Sequence, residues 1–158
     1  MLAVVGLVAS LAACTSDGDA APSVGTADAF TAIVDWQIAQ AGPPTTDQPL
    51  PVIYVTGADG ATIDASVQAK VAASTVDVAK VRFTDVVDDA LVGDTEGEPV
   101  KDEGVLLIVD EFDGKGTTSL PIGVTVYRDA NDEQHLVLTV AATTDGAEVT
   151  ASSARPSG

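Results

Sequence analysis

The chain is expected to fold as one α+β domain: an N-terminal helix and a βαβ unit, followed by an antiparallel meander, all in one mixed sheet. Three observations point there. Apolar residues recur at helical spacing from residue 26 and again over 63–74. Runs rich in β-branched residues at 51–55 and 78–83 flank the second helical stretch, which is the order of a βαβ unit. Beyond residue 104 the pattern becomes one apolar run followed by strict alternation, as in strands laid on a core.

The elements follow in order. Phe30, Ile33, Val34, Gln37 and Ile38 share one helical face, with Thr26 or Asp28 as cap and Gly42-Pro43-Pro44 as the stop. Trp36, the only Trp, lies close to that face and reads as a core-edge residue. Gly42 to Leu50 is a Pro-rich loop, and Pro51-Val52-Ile53-Tyr54-Val55 is a strand. Gly57-Ala58-Asp59-Gly60 turns the chain into a helix over 63–74, marked by Ile63, Val67 and Val71 and capped by Thr62 or Asp64. Val78 to Phe83 is the second strand, Asp85 to Leu91 a short helix, and Gly93 to Pro99 a solvated loop. Val105 to Val109 is apolar throughout, as suits a central strand covered on both faces. Ile122, Val124 and Val126, then Leu136, Leu138 and Val140, alternate with more polar residues on either side of a hairpin at 129–133. A last strand is expected at 147–151 after the Asp145-Gly146 turn.

Length and charge narrow the function. The 158 residues are 46% hydrophobic, enough for one core in one domain. Seven basic side chains against 24 acidic ones give a net charge of −17. Such a surface repels nucleic-acid phosphates and anionic lipid headgroups alike, so no nucleic-acid partner is expected.

The leading residues carry the most specific signal. Leu2 to Ala13 is an uncharged, largely apolar run of twelve residues. A membrane-crossing helix needs about 20, so the run suits the apolar region of a secretory signal. It ends in Leu11-Ala12-Ala13-Cys14, followed by the polar Thr15-Ser16-Asp17-Gly18. This segment resembles the signal and lipobox of bacterial lipoprotein precursors. The resemblance implies a diacylglycerol thioether on Cys14, a cut before it by signal peptidase II, and removal of residues 1–13. It covers fourteen residues and is silent on the domain behind them. One departure is plain: no Lys or Arg precedes the apolar run, so the start of translation is expected upstream of Met1. Cys14 is the only Cys, so no intrachain disulfide can form. Residues 14–26, small and polar, are expected to form a flexible tether. Residues 27–152 are then the globular domain and 153–158 a disordered tail.

The domain offers little chemistry. No Gly-rich phosphate loop is present, and Gly114-Lys115-Gly116-Thr117-Thr118 only imitates one. His135 is the only His, and alternation puts it opposite Leu136, Leu138 and Val140, on a solvated face. No Gly-x-Ser-x-Gly elbow accompanies it, and one His with one Cys cannot build a zinc site. Asp129, Asn131 and Glu133 have the spacing that opens a calcium loop, but Gln134 stands where glycine belongs and Val140 where the closing glutamate belongs. A hairpin turn is the simpler reading, and neither metal nor cofactor is expected. Asp85, Asp88, Asp89, Asp94, Glu96 and Glu98 read as a solvated acidic surface.

The expected function is therefore a surface lipoprotein anchored through Cys14 on the extracytoplasmic face of the cell membrane. Its domain would bind or assist another envelope protein without catalysis. The alternative is an envelope hydrolase using carboxylates, with or without Ca²⁺, which requires two acids converging in one pocket with one pKa raised.

Overall fold

The computed structural model describes residues 22–42 and 48–156. The apolar leader, Cys14, most of the 14–26 stretch, and Pro43 and Pro44 lie outside the described residues. Helix α1 (Thr26–Ala41) buries Ala29, Phe30, Ala32, Ile33, Val34 and Gln37, the stripe that the apolar spacing marks. Its cap departs from expectation, since the N-cap is Gly25 and no side chain caps it. Asp28 is engaged elsewhere, in an ion pair with Lys70 at 2.6 Å. That lysine belongs to α2 (Ala65–Thr75), whose cap is Asp64: its Oδ1 accepts the Ser66 N–H at 2.7 Å.

Six strands form one sheet: β1 (Val52–Gly57), β2 (Lys80–Phe83), β3 (Val105–Val109), β4 (Ser119–Asp129), β5 (Asp132–Thr143) and β6 (Gly146–Ala154). Their order is β2-β1-β3-β4-β5-β6. Strand β1 runs parallel to both β2 and β3, and β3 to β6 form the antiparallel meander. The fold is thus α+β with a mixed sheet, and β1-α2-β2 is the βαβ unit. Both helices pack on one face, over Ile53, Val55, Leu107, Val109, Ile122, Val124, Leu138 and Val140.

A second, smaller core lies on the opposite face, where Tyr54 and Leu106 meet Ala90, Leu91 and Val100. Its roof is the link from β2 to β3. The expected helix over 85–91 is replaced by 3₁₀ turns at Val87–Ala90, Val92–Asp94 and Lys101–Glu103. The reason is local. Asp88, Asp89 and Gly93 interrupt any apolar stripe, and a bridge between Leu91 and Val100 closes the segment on itself. The apolar β3 is covered on both faces, as its composition requires.

Both ends of the domain extend beyond the expected limits. Val24 is buried, and its N–H donates to the Thr117 carbonyl at 2.8 Å, so residues 24–26 belong to the fold and not to the tether. Strand β6 reaches Ala154, and the Arg155 N–H donates to the His135 carbonyl at 2.8 Å. The segment 153–155, read as tail, is ordered because the twelve-residue β5 offers it backbone partners.

Arg155 also reaches across β4 to Asp110, at the end of β3. The pair passes directly over Gly123, where any Cβ would fall on the guanidinium and the carboxylate. Replacing Gly123 by alanine trades two small quantities. Alanine in a strand interior gains about 0.5–1 kcal/mol over glycine. An ion pair more than a third exposed contributes about 0–1 kcal/mol. Gly123→Ala is therefore expected to leave stability within about 1 kcal/mol of wild type. The change shows instead in coupling: Asp110→Asn should destabilise the wild-type background and not the Gly123→Ala background. A urea-denaturation cycle checks this, and equal losses in both backgrounds would mean that the pair bends around the methyl group.

Candidate functional site

Strand β1 leaves the sheet toward the helical face through residues 58–64, whereas β3 turns back through residues 110–118 into β4. Where these connections part, at the carboxyl ends of β1 and β3, a crevice opens. Open α/β sheets bind ligands at this position. The loop after β1 folds back tightly because Gly57 has no side chain: a Cβ there would strike the Ala61 carbonyl and come within 2.9 Å of the Ala61 Cβ.

The crevice encloses about 220 Å³. The buried residues Phe30, Ile63, Val67 and Val109 form its floor, and Phe112 walls it. The Phe30 and Phe112 rings are tilted by 43° with centroids 5.7 Å apart. Asp64, Asp110 and Glu111 line its acidic part. Hydrogen bonds from the Ser66 hydroxyl and then the Ser66 N–H hold the Asp64 carboxyl below the ordinary aspartate value, so it stays charged in mildly acidic solution. Among the described residues that line the crevice none is basic, and none is a serine, cysteine or histidine. The arrangement can hold an apolar group carrying positive charge.

A second polar cluster sits on the opposite face beside the 3₁₀ roof. Arg82 donates to the Tyr54 hydroxyl at 2.7 Å and to Asp102 at 2.5 Å, and its guanidinium lies 5.5 Å from the Tyr54 ring centroid. The Tyr54 hydroxyl also donates to Asp102 at 3.2 Å. These hydrogen bonds, the one Tyr54 accepts first and the one Asp102 accepts second, raise the Arg82 pKa. Asp102 and Glu103 have φ of 58° and 52°, a left-handed pair that costs about 1–3 kcal/mol per residue. The cluster pins that turn to the edge strand β2. Its charges satisfy one another, which suits a brace.

The residues singled out in the sequence occupy other places. Asp129 Oδ1 accepts the Asn131 N–H at 2.7 Å in an Asx turn, and Glu133 lies 3.5 Å from His135 Nε2. Among the described residues no group of three His, Cys, Asp or Glu side chains could hold a metal ion. His135 is exposed, and its Nδ1 shares a hydrogen bond with the Thr125 hydroxyl at 3.0 Å. Asp85, Asp88, Asp89, Asp94, Glu96 and Glu98 are spread over the roof and its loop.

Among the described residues the carboxyl with a raised pKa is that of Asp35, on α1 in a shallow depression with Trp36 and Glu148. Partial desolvation beside Trp36 raises it, although the residue as a whole is exposed. A raised acid binds its proton more tightly in the folded state. Its contribution to stability is greatest below the unfolded value of 3.8 and is lost as pH rises through the folded value. Asp35→Asn keeps the neutral form at every pH. Because Asp35 is exposed, it is expected to raise Tm only slightly at neutral pH and to leave it unchanged near pH 3, and thermal melts at both check this. An unchanged Tm at neutral pH would show the carboxylate to be fully solvated.

No protein-family model, no curated protein and no solved structure matches this chain. Among the described residues, no helix is long and apolar enough to cross a membrane.

Sequence reasoning missed the crevice, the Arg82–Tyr54–Asp102 cluster and the Asp110–Arg155 clasp. The crevice had one available signal. A βαβ unit followed by a reversal in connection direction implies a switch point, and Gly57 marks the tight exit there.

Proposed function

We propose that this chain is a lipid-anchored surface lipoprotein whose domain binds another component of the cell envelope without catalysis. The observation that carries the proposal is Leu11-Ala12-Ala13-Cys14 closing an uncharged, largely apolar run of twelve residues. Acylation at Cys14 would fix the domain to the extracytoplasmic face of the membrane by two or three fatty chains, which hold where one chain detaches. Nine residues lie between Cys14 and Val24, the first buried residue described. The domain itself supports a binding role: its crevice combines an apolar floor with carboxylates.

Mass spectrometry of the N-terminal peptide from a membrane fraction tests the reading. The expected result is a peptide that begins at Cys14 and carries a diacylglycerol, with or without a third acyl chain. A peptide extending upstream of Cys14 with a free thiol would remove the anchor and the envelope role together.

A further inference from the structure

We infer that the crevice between the ends of β1 and β3 is the docking point for a single arginine side chain projecting from a cationic protein segment. The inference deepens the binding role proposed above and rests on it. Size is the first argument. A volume of about 220 Å³ lies below the roughly 300–1,000 Å³ of small-molecule sites and suits one anchor side chain. Protein interfaces commonly seat one such anchor in one pocket, and arginine is among the residues enriched there.

Chemistry is the second. The apolar floor of Ile63, Val67 and Val109 accepts a methylene stem, and the Phe30–Phe112 pair offers aromatic surface to a guanidinium plane. Asp64 and Glu111 supply the carboxylates that a guanidinium bonds most strongly. The neighbouring cation, Arg155, is already held by Asp110. Glu111 makes no ion pair among the described residues and is exposed.

The charge of the chain is the third. At −17 it draws a cationic partner from a distance and repels a second copy of itself.

The test is an amide NMR titration of the full chain in a neutral detergent. The probes are acetylated, amidated tripeptides: Leu-Arg-Leu and, as control, Leu-Glu-Leu. The arginine peptide is expected to shift amides of residues 61–67 and 109–112, and the glutamate peptide to leave them in place. Glu111→Gln lies on the surface and leaves the core intact. It should weaken the arginine peptide about two- to fivefold, as should raised salt. No shift in those amides, equal shifts from both peptides, or an unchanged Kd in Glu111→Gln would each overturn the docking point. Such a failure is distinct from failure of the wider reading, because a bare Cys14 thiol removes the anchor while leaving the titration untouched.

Discussion

Replacing Leu107 by alanine is expected to cost about 3–5 kcal/mol of unfolding free energy, and replacing its neighbour Leu106 about 2–3 kcal/mol. Both side chains are fully buried, on opposite faces of β3. The transfer loss is the same, so the difference is the cavity left behind. Leu107 sits between the helices and the central strands, where a rigid layer on each side keeps the hole open. Leu106 lies under a roof of short 3₁₀ turns held by Ala90, Leu91 and Val100, which can settle into the space. Against a total stability of about 5–15 kcal/mol, the larger loss leaves a marginal fold. Urea midpoints at constant slope measure both. Hydrogen exchange separates them: Leu106→Ala should speed exchange at the roof amides, such as those of Leu91, Val92 and Val100, while α1 stays protected. A larger loss for Leu106→Ala would show the roof to be as rigid as the helices.

That roof also marks where the sequence stopped being readable. The stripe of α1 and the alternation along β4 and β5 are consequences of one buried face, and each was legible residue by residue. The parallel pairing of β1 with β2 followed from the helix between them. The link from β2 to β3 has no such period. It buries only three apolar side chains across residues 85–104, and its form is set by the surface it must cover. Strand ends were misjudged for a related reason. Ser152, Ser153 and Ala154 carry no β signal of their own, and they pair because β5 extends far enough to meet them.

The candidate site was less legible than the fold, because a crevice is a property of assembly. Phe30 reads as a core position of a helix, and Phe112 as an isolated aromatic in a loop. Only the packing of α1 over the end of β3 brings the rings together. The Asp110–Arg155 pair spans 45 positions in sequence, and no local pattern links its members. Asp129, Asn131 and Glu133 show the converse: a motif spacing was present, and the hairpin used Asp129 to close its own turn.

The proposed anchor yields a consequence larger than any core substitution. With Cys14→Ser the hydroxyl is too weak a nucleophile to take up a diacylglycerol, and the lipobox no longer offers its cleavage residue. The variant is expected to keep its leader and to carry no acyl mass. Two fatty chains contribute about 0.8 kcal/mol per buried methylene, so wild-type chain should stay with membranes through an alkaline wash. Without acyl chains the variant is held only by its uncleaved leader, and more of it should wash off than of the wild-type chain. The domain's melting temperature should not move, since Cys14 lies ten residues ahead of the first buried side chain described, Val24. That combination separates loss of anchoring from misfolding. Equal retention of both chains with identical N-termini would mean that some surface of the domain, and not the sulfur, holds it at the membrane. The acidic surface makes that outcome unfavourable on anionic lipid.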